Sequence, residues 1–76
     1  MADDTAHDIA DEARAWIDRF AALIDVEPPT SDDIRQILAL AGAAAHASVR
    51  QSAPVACWMA GRAGLDLAEA MRLADQ

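Results

Sequence analysis

The sequence predicts an all-α fold: a compact four-helix domain with a long, Ala-rich, central second helix and two shorter C-terminal helices. Apolar residues recur at three- and four-residue steps through most of the chain, the spacing of one helix face. Helix stops and starts, marked by Pro28-Pro29, Pro54 and Gly64, divide that pattern into four segments. No segment alternates apolar and polar residues as a half-buried strand would.

Residues 1–4 are expected to fray, which leaves residues 5–76 as a single helical domain. Thr5 with Asp8 three positions on matches a capping-box start. From there Ile9, Ala13, Trp16, Ile17, Phe20, Leu23 and Ile24 form the apolar stripe of a first helix. Trp16 and Phe20 are its largest core candidates. Glu27-Pro28-Pro29 ends the helix, because proline lacks an N–H and restricts the residue before it.

Thr30-Ser31-Asp32-Asp33 opens the second helix, with a hydroxyl cap followed by acids that suit the positive end of the helix dipole. Its predicted buried stripe is Ile34, Ile37, Leu38, Ala41, Ala45 and Val49. Gly42 weakens a helix interior by up to about 1 kcal/mol relative to alanine, so another backbone is expected to cross there. The third helix runs from Val55 to about Ala63, with Ser52 or Ala53 at its cap and Pro54 in the entry turn. Val55, Trp58, Met59 and Arg62 share one of its faces, and Gly64 supplies a left-handed stop. Asp66 and Glu69 suggest a capping box for a fourth helix, whose apolar side is Leu67, Met71 and Ala74 with Leu73 nearby.

Seventy-six residues bury only about 60% of their unfolded surface, so a core of this size gains from a partner. Cys57 is the single cysteine, which excludes an intrachain disulfide and fits a reducing compartment. The start Met1-Ala2-Asp3-Asp4 is acidic where a signal peptide is basic, and no apolar run reaches the roughly 18 residues of a membrane span. A cytoplasmic protein without membrane contact is the expectation. The net charge of −7 is uneven: residues 1–33 hold ten acids and two arginines (−8), residues 34–76 three acids and four arginines (+1). The first half repels a phosphate backbone and the second has no basic stripe, so nucleic acid is not an expected partner.

His46 and Arg50, at i and i+4 near the end of the second helix, are the least ordinary polar pair. Two roles fit them. They neutralise the terminal carbonyls of that helix, or they bind an anion together with N–H groups of Ser52, Ala53 and the residues around Pro54 at the start of the third helix. A contact with a partner protein is a third role. Free cysteine is usually a small buried hydrophobe, and Cys57 is read so. The paired acids Asp11-Glu12 and Asp32-Asp33 lie at helix starts, where acids are ordinary. Zinc spacing, a phosphate loop and a catalytic triad are all missing, so no enzyme activity, metal or cofactor is implied.

Trp16, Phe20 and Leu23, then Ile37-Leu38-Ala39-Leu40-Ala41, Ala45-His46, Val49-Arg50, Ala53-Pro54 and Met59-Ala60-Gly61, together resemble a small actinobacterial helical domain family of unknown function. Its members occur alone or fused to molybdenum cofactor guanylyltransferase. The resemblance runs from about Glu12 to Ala74. Three positions depart from it: Gln51 stands where proline is frequent, Ala56 where threonine is, and Trp58 where another bulky apolar residue, often phenylalanine, is usual. The resemblance implies a non-enzymatic accessory or protein-interaction domain associated with molybdenum cofactor maturation, with the guanylyltransferase as partner. The alternative is a small anion- or nucleotide-binding module using His46, Arg50 and the start of the third helix. A homodimer through an exposed apolar helix face is compatible with either.

Overall fold

The structure, a computed structural model, describes residues 9–74. These residues form four α-helices and no strand: α1 (Asp11–Leu23), α2 (Ser31–Ala47), α3 (Ser52–Ala63) and α4 (Leu67–Ala74). The all-α expectation, the length of α2 and the two shorter C-terminal helices are all found. The chain divides into two units, Met1–Arg35 and Gln36–Gln76, with the boundary inside α2.

In the first unit, Ile9 and Ala10 precede the helix, and Ala10 is extended without a side-chain cap. The helix therefore begins later than Thr5 suggests; Thr5, Asp8 and the expected frayed residues 1–4 lie outside the described residues. Asp11 and Glu12 in the first turn suit the dipole there. The helix also ends before the prolines, at a Schellman motif. The Val26 N–H donates to the Ala21 carbonyl at 2.9 Å and the Asp25 N–H to the Ala22 carbonyl at 3.2 Å. Asp25 occupies the left-handed position at φ 61°, where its short polar side chain is tolerated better than a bulky one. Sequence reasoning overlooked this stop because glycine normally marks it.

The stripe expected on α1 is displaced. Ala21 is buried and Ile17 half-buried, whereas Trp16 is 54% exposed and Phe20, Leu23 and Ile24 are exposed with it. The two aromatic rings stack on each other, centroids 5.0 Å apart and 16° from parallel. Arg14 Nε meets Asp18 Oδ1 at 3.4 Å one turn on. The capping box expected at Thr30 is present: the Asp33 N–H donates to Thr30 Oγ1 at 3.0 Å and the Thr30 N–H to Asp33 Oδ2 at 3.2 Å.

In the second unit the core is built from one large side chain and many small ones. Leu40 of α2, 2% exposed, clusters with Ala60 of α3 and Ala70 of α4, and Cys57, Leu67 and Ala74 pack around them. Along α2, Ile34 in the first unit and Leu40 and Ala44 in the second are buried, with Ile37, Ala41 and Ala45 half-buried and Leu38 exposed. The helical period holds, but the stripe is rotated from the one predicted. The expected backbone crossing at Gly42 is not found, since nothing lies within 4 Å of where a Cβ would stand.

Helix α2 stops at Ala47, short of Val49 and Arg50. Two i→i+3 bonds, Ser52 N–H to the Val49 carbonyl (2.9 Å) and Ala53 N–H to the Arg50 carbonyl (3.1 Å), carry the turn directly into α3. The N-cap position of α3 is Gln51, already in helical conformation and without a side-chain cap, rather than Ser52 or Ala53. Gly64 closes α3 as expected at φ 70°, its N–H and that of Leu65 donating to the Gly61 and Ala60 carbonyls at 3.1 Å each. Glu69 does not turn back to Asp66; it pairs with Arg72 on the next turn of α4.

Candidate functional site

The arrangement of α3 sets up the candidate site. Its inward residues are small: Ala53, Ala56 and Cys57 are half-buried and Ala60 is buried. Its bulky residues, Val55, Trp58 and Met59, all face solvent, and Trp58 is 66% exposed. The two sets follow the same helical spacing, so the sequence admits either as the buried face. Leu40 needs small neighbours, and alanine and cysteine allow α3 to approach α2 closely. The close approach is visible at Cys57, whose Sγ lies 3.9 Å from the Ile37 carbonyl oxygen as a weak donor. Burial pushes the Cys57 thiol above its ordinary value, which favours the protonated form.

The outward face of α3 is shaped. Met59 and Ala56 border two apolar recesses. One is lined by Val49, Gln51, Ser52, Val55 and Ala56, and the other by Leu40, Ala60, Leu65 and Ala70 among others. The Arg62 guanidinium lies over the Trp58 ring, 5.8 Å from its centroid, an attraction worth about 0.5–1 kcal/mol at an exposed site. Arg50 and Arg62 lie in sequence on either side of the bulky residues, both exposed, and neither makes an ion pair among the described residues. By contrast, Arg14, Arg35 and Arg72 each pair with an acid on their own helix.

The predicted binding residues are placed as follows. His46 is exposed in the last turn of α2, and Arg50 is exposed in the turn beyond it. Because α2 ends at Ala47, the i,i+4 relation that was to set the two on one helix face does not apply. Neither donates a hydrogen bond to a helix carbonyl among the described residues. Ser52 and Ala53 are half-buried and Pro54 is exposed at the start of α3. The N–H groups of Ser52 and Ala53 are taken by the Val49 and Arg50 carbonyls, and Pro54 has none. The backbone donors that an anion would use are thus largely spent. Of the five, only Ser52 borders the recess beside Met59.

Val49, Val55, Trp58 and Met59 were assigned to the interior, or not assigned, by sequence reasoning. The sequence holds no signal that decides their exposure, only the charge pattern around them. No acid occurs from Gln36 through Leu65, so the face carries no carboxylate of its own, and every bulky residue of α3 falls on one side of it. Among the described residues no group of three or more His, Cys, Asp or Glu side chains is placed to hold a metal ion. No helix of the described residues is long and apolar enough to cross a membrane.

Neither the curated proteins nor the solved structures include a match to this chain. One family model does match, over residues 8–75 and so nearly the whole length, and on that ground the chain belongs to the domain of unknown function family DUF6457.

Proposed function

We propose that this chain is a non-enzymatic accessory domain that docks onto a protein through the outward face of α3, and that its partner is a molybdenum cofactor guanylyltransferase. The observation that carries the docking reading is the inversion of α3. A small domain with little core to spare leaves Val55, Trp58 and Met59 in water while burying alanines. Exposed tryptophan and methionine beside arginine match the composition of interface centres. The choice of partner rests on the resemblance carried by Ala45-His46, Val49-Arg50 and Ala53-Pro54.

The test is co-purification of the tagged chain with the guanylyltransferase of the same organism. Trp58→Ser with Met59→Ser should abolish retention while the circular dichroism of the helices is unchanged. No retention of the enzyme by the unaltered chain at tens of micromolar concentration would rule that partner out.

A second copy of the chain is a separate occupant for the other exposed apolar face, favoured by the stacked Trp16 and Phe20 with Leu23 on α1. Sedimentation equilibrium decides this. A dimer weakened by Phe20→Ser supports it, and a monomer at several hundred micromolar removes it.

A further inference from the structure

We infer that the occupant of the α3 face is an amphipathic helix whose apolar anchors are flanked by carboxylates, an inference that rests on the docking reading above. Three observations combine. Met59 borders two apolar recesses, one toward Ser52 and Val55 and one toward Ala60 and Ala63, and such recesses suit side chains at i, i+3 and i+4 of a facing helix. The 12 residues of α3 give it a length of about 18 Å, enough for a partner of roughly three turns. The only formal charges from Gln36 through Leu65 are Arg50 and Arg62, one on each side of the bulky residues in sequence, both exposed and without an ion pair among the described residues.

An arginine without a local acid gains most from a carboxylate supplied across an interface, where the guanidinium fork donates two parallel hydrogen bonds to it. Arg62 is already drawn over the Trp58 ring, so its guanidinium is held beside the apolar anchor. The same charges argue against other occupants. A second copy meeting this one α3 to α3 would set arginines against arginines with no acid between Gln36 and Leu65 to relieve them. A net charge of −7 opposes an anionic lipid surface, which two arginines do not offset. The described residues contain no strand whose edge an extended peptide could join.

The experiment places a photo-crosslinking amino acid at position 59 of the full chain, expressed in its native cells, with position 73 on α4 as control. The crosslinked partner peptides are then sequenced. Expected are helical segments with apolar residues at three- and four-residue steps and a net negative charge. Arg50→Glu with Arg62→Glu should lower the yield at position 59 at least about tenfold, and Arg50→Gln with Arg62→Gln should lower it less. Partner segments that are basic or uncharged, or a yield indifferent to both charge variants, would overturn the inference while leaving the docking reading intact. Crosslinks to the chain's own peptides would replace it with self-association. Crosslinks to lipid, or none above the control, would overturn both readings.

Discussion

The inversion of α3 makes a quantitative statement about stability: truncating the largest side chain of the second unit should matter less than truncating a leucine. Trp58 presents up to about 250 Å². With 66% exposed, roughly 80 Å² remains covered, worth about 2 kcal/mol at 25 cal/mol/Å². The unfolded chain already covers part of that area, and alanine is a better helix former by about 0.5 kcal/mol. The lost contact with Arg62 returns about 0.5 kcal/mol. Trp58→Ala should therefore cost about 1 kcal/mol. Leu40 is 2% exposed and touches residues already small, Ala60 and Ala70, which have no side chain with which to fill the space. Leu40→Ala should cost about 3 kcal/mol through lost transfer energy and the cavity left behind. In urea, with a slope near 1 kcal/mol per molar for a chain of this size, the midpoints should fall by about 1 M and about 3 M. Ellipticity at 222 nm reads both. A Trp58→Ala midpoint as low as that of Leu40→Ala would refute the orientation assigned to α3.

The two Schellman stops predict opposite responses to substitution. Asp25→Gly, at φ 61°, should raise stability by about 1 kcal/mol, and Gly64→Ala, at φ 70° with open space around it, should lower it by about as much. Thermal melts of the two variants check this, and equal shifts of one sign would contradict it. The folded state holds the Cys57 proton more tightly than the unfolded chain does, so its contribution is intact below the ordinary thiol value of the unfolded chain and is lost as pH rises through the higher folded value. Alkylation at pH 7.5 should accordingly be slow in the native chain and fast in urea, and equally fast labelling in both would show an accessible thiolate. Titration with inorganic phosphate should leave the Ser52 and Ala53 amide resonances unmoved, because both N–H groups are already bonded; saturable shifts there would restore the anion-binding reading.

Much of the fold was legible because it depends on local rules. Thr30 and Asp33 cap α2 as their types require, Gly64 takes the left-handed stop, and three- and four-residue periodicity marks every helix. The misassigned helix faces share one physical origin. In an alanine-rich chain two faces of a helix both satisfy the burial pattern, and bulk was taken as the sign of the interior. On α1 bulk points to Trp16 and Phe20 as the interior when Ile17 and Ala21 are the more covered, and on α3 the spacing leaves open whether the side of Trp58 or that of Ala60 is buried. The packing of α3 against Leu40 is a tertiary requirement that no local window contains. The candidate site suffered from one boundary. Carrying α2 past Ala47 to Arg50 created a helical pair with His46 and freed N–H groups that the actual turn uses. The positive balance of the second half was visible in composition, but its meaning depended on knowing that Val55, Trp58 and Met59 lie outside.

The central claim, that the bulky residues of α3 face solvent until a partner covers them, is tested most directly by acrylamide quenching of Trp58 in a Trp16→Phe background. The chain must be at a concentration where it sediments as a monomer. The structure predicts quenching of Trp58 approaching that of the urea-unfolded chain, falling sharply when the partner is added. Shielded, blue-shifted emission from Trp58 in the isolated monomer would place the indole inside and contradict the account.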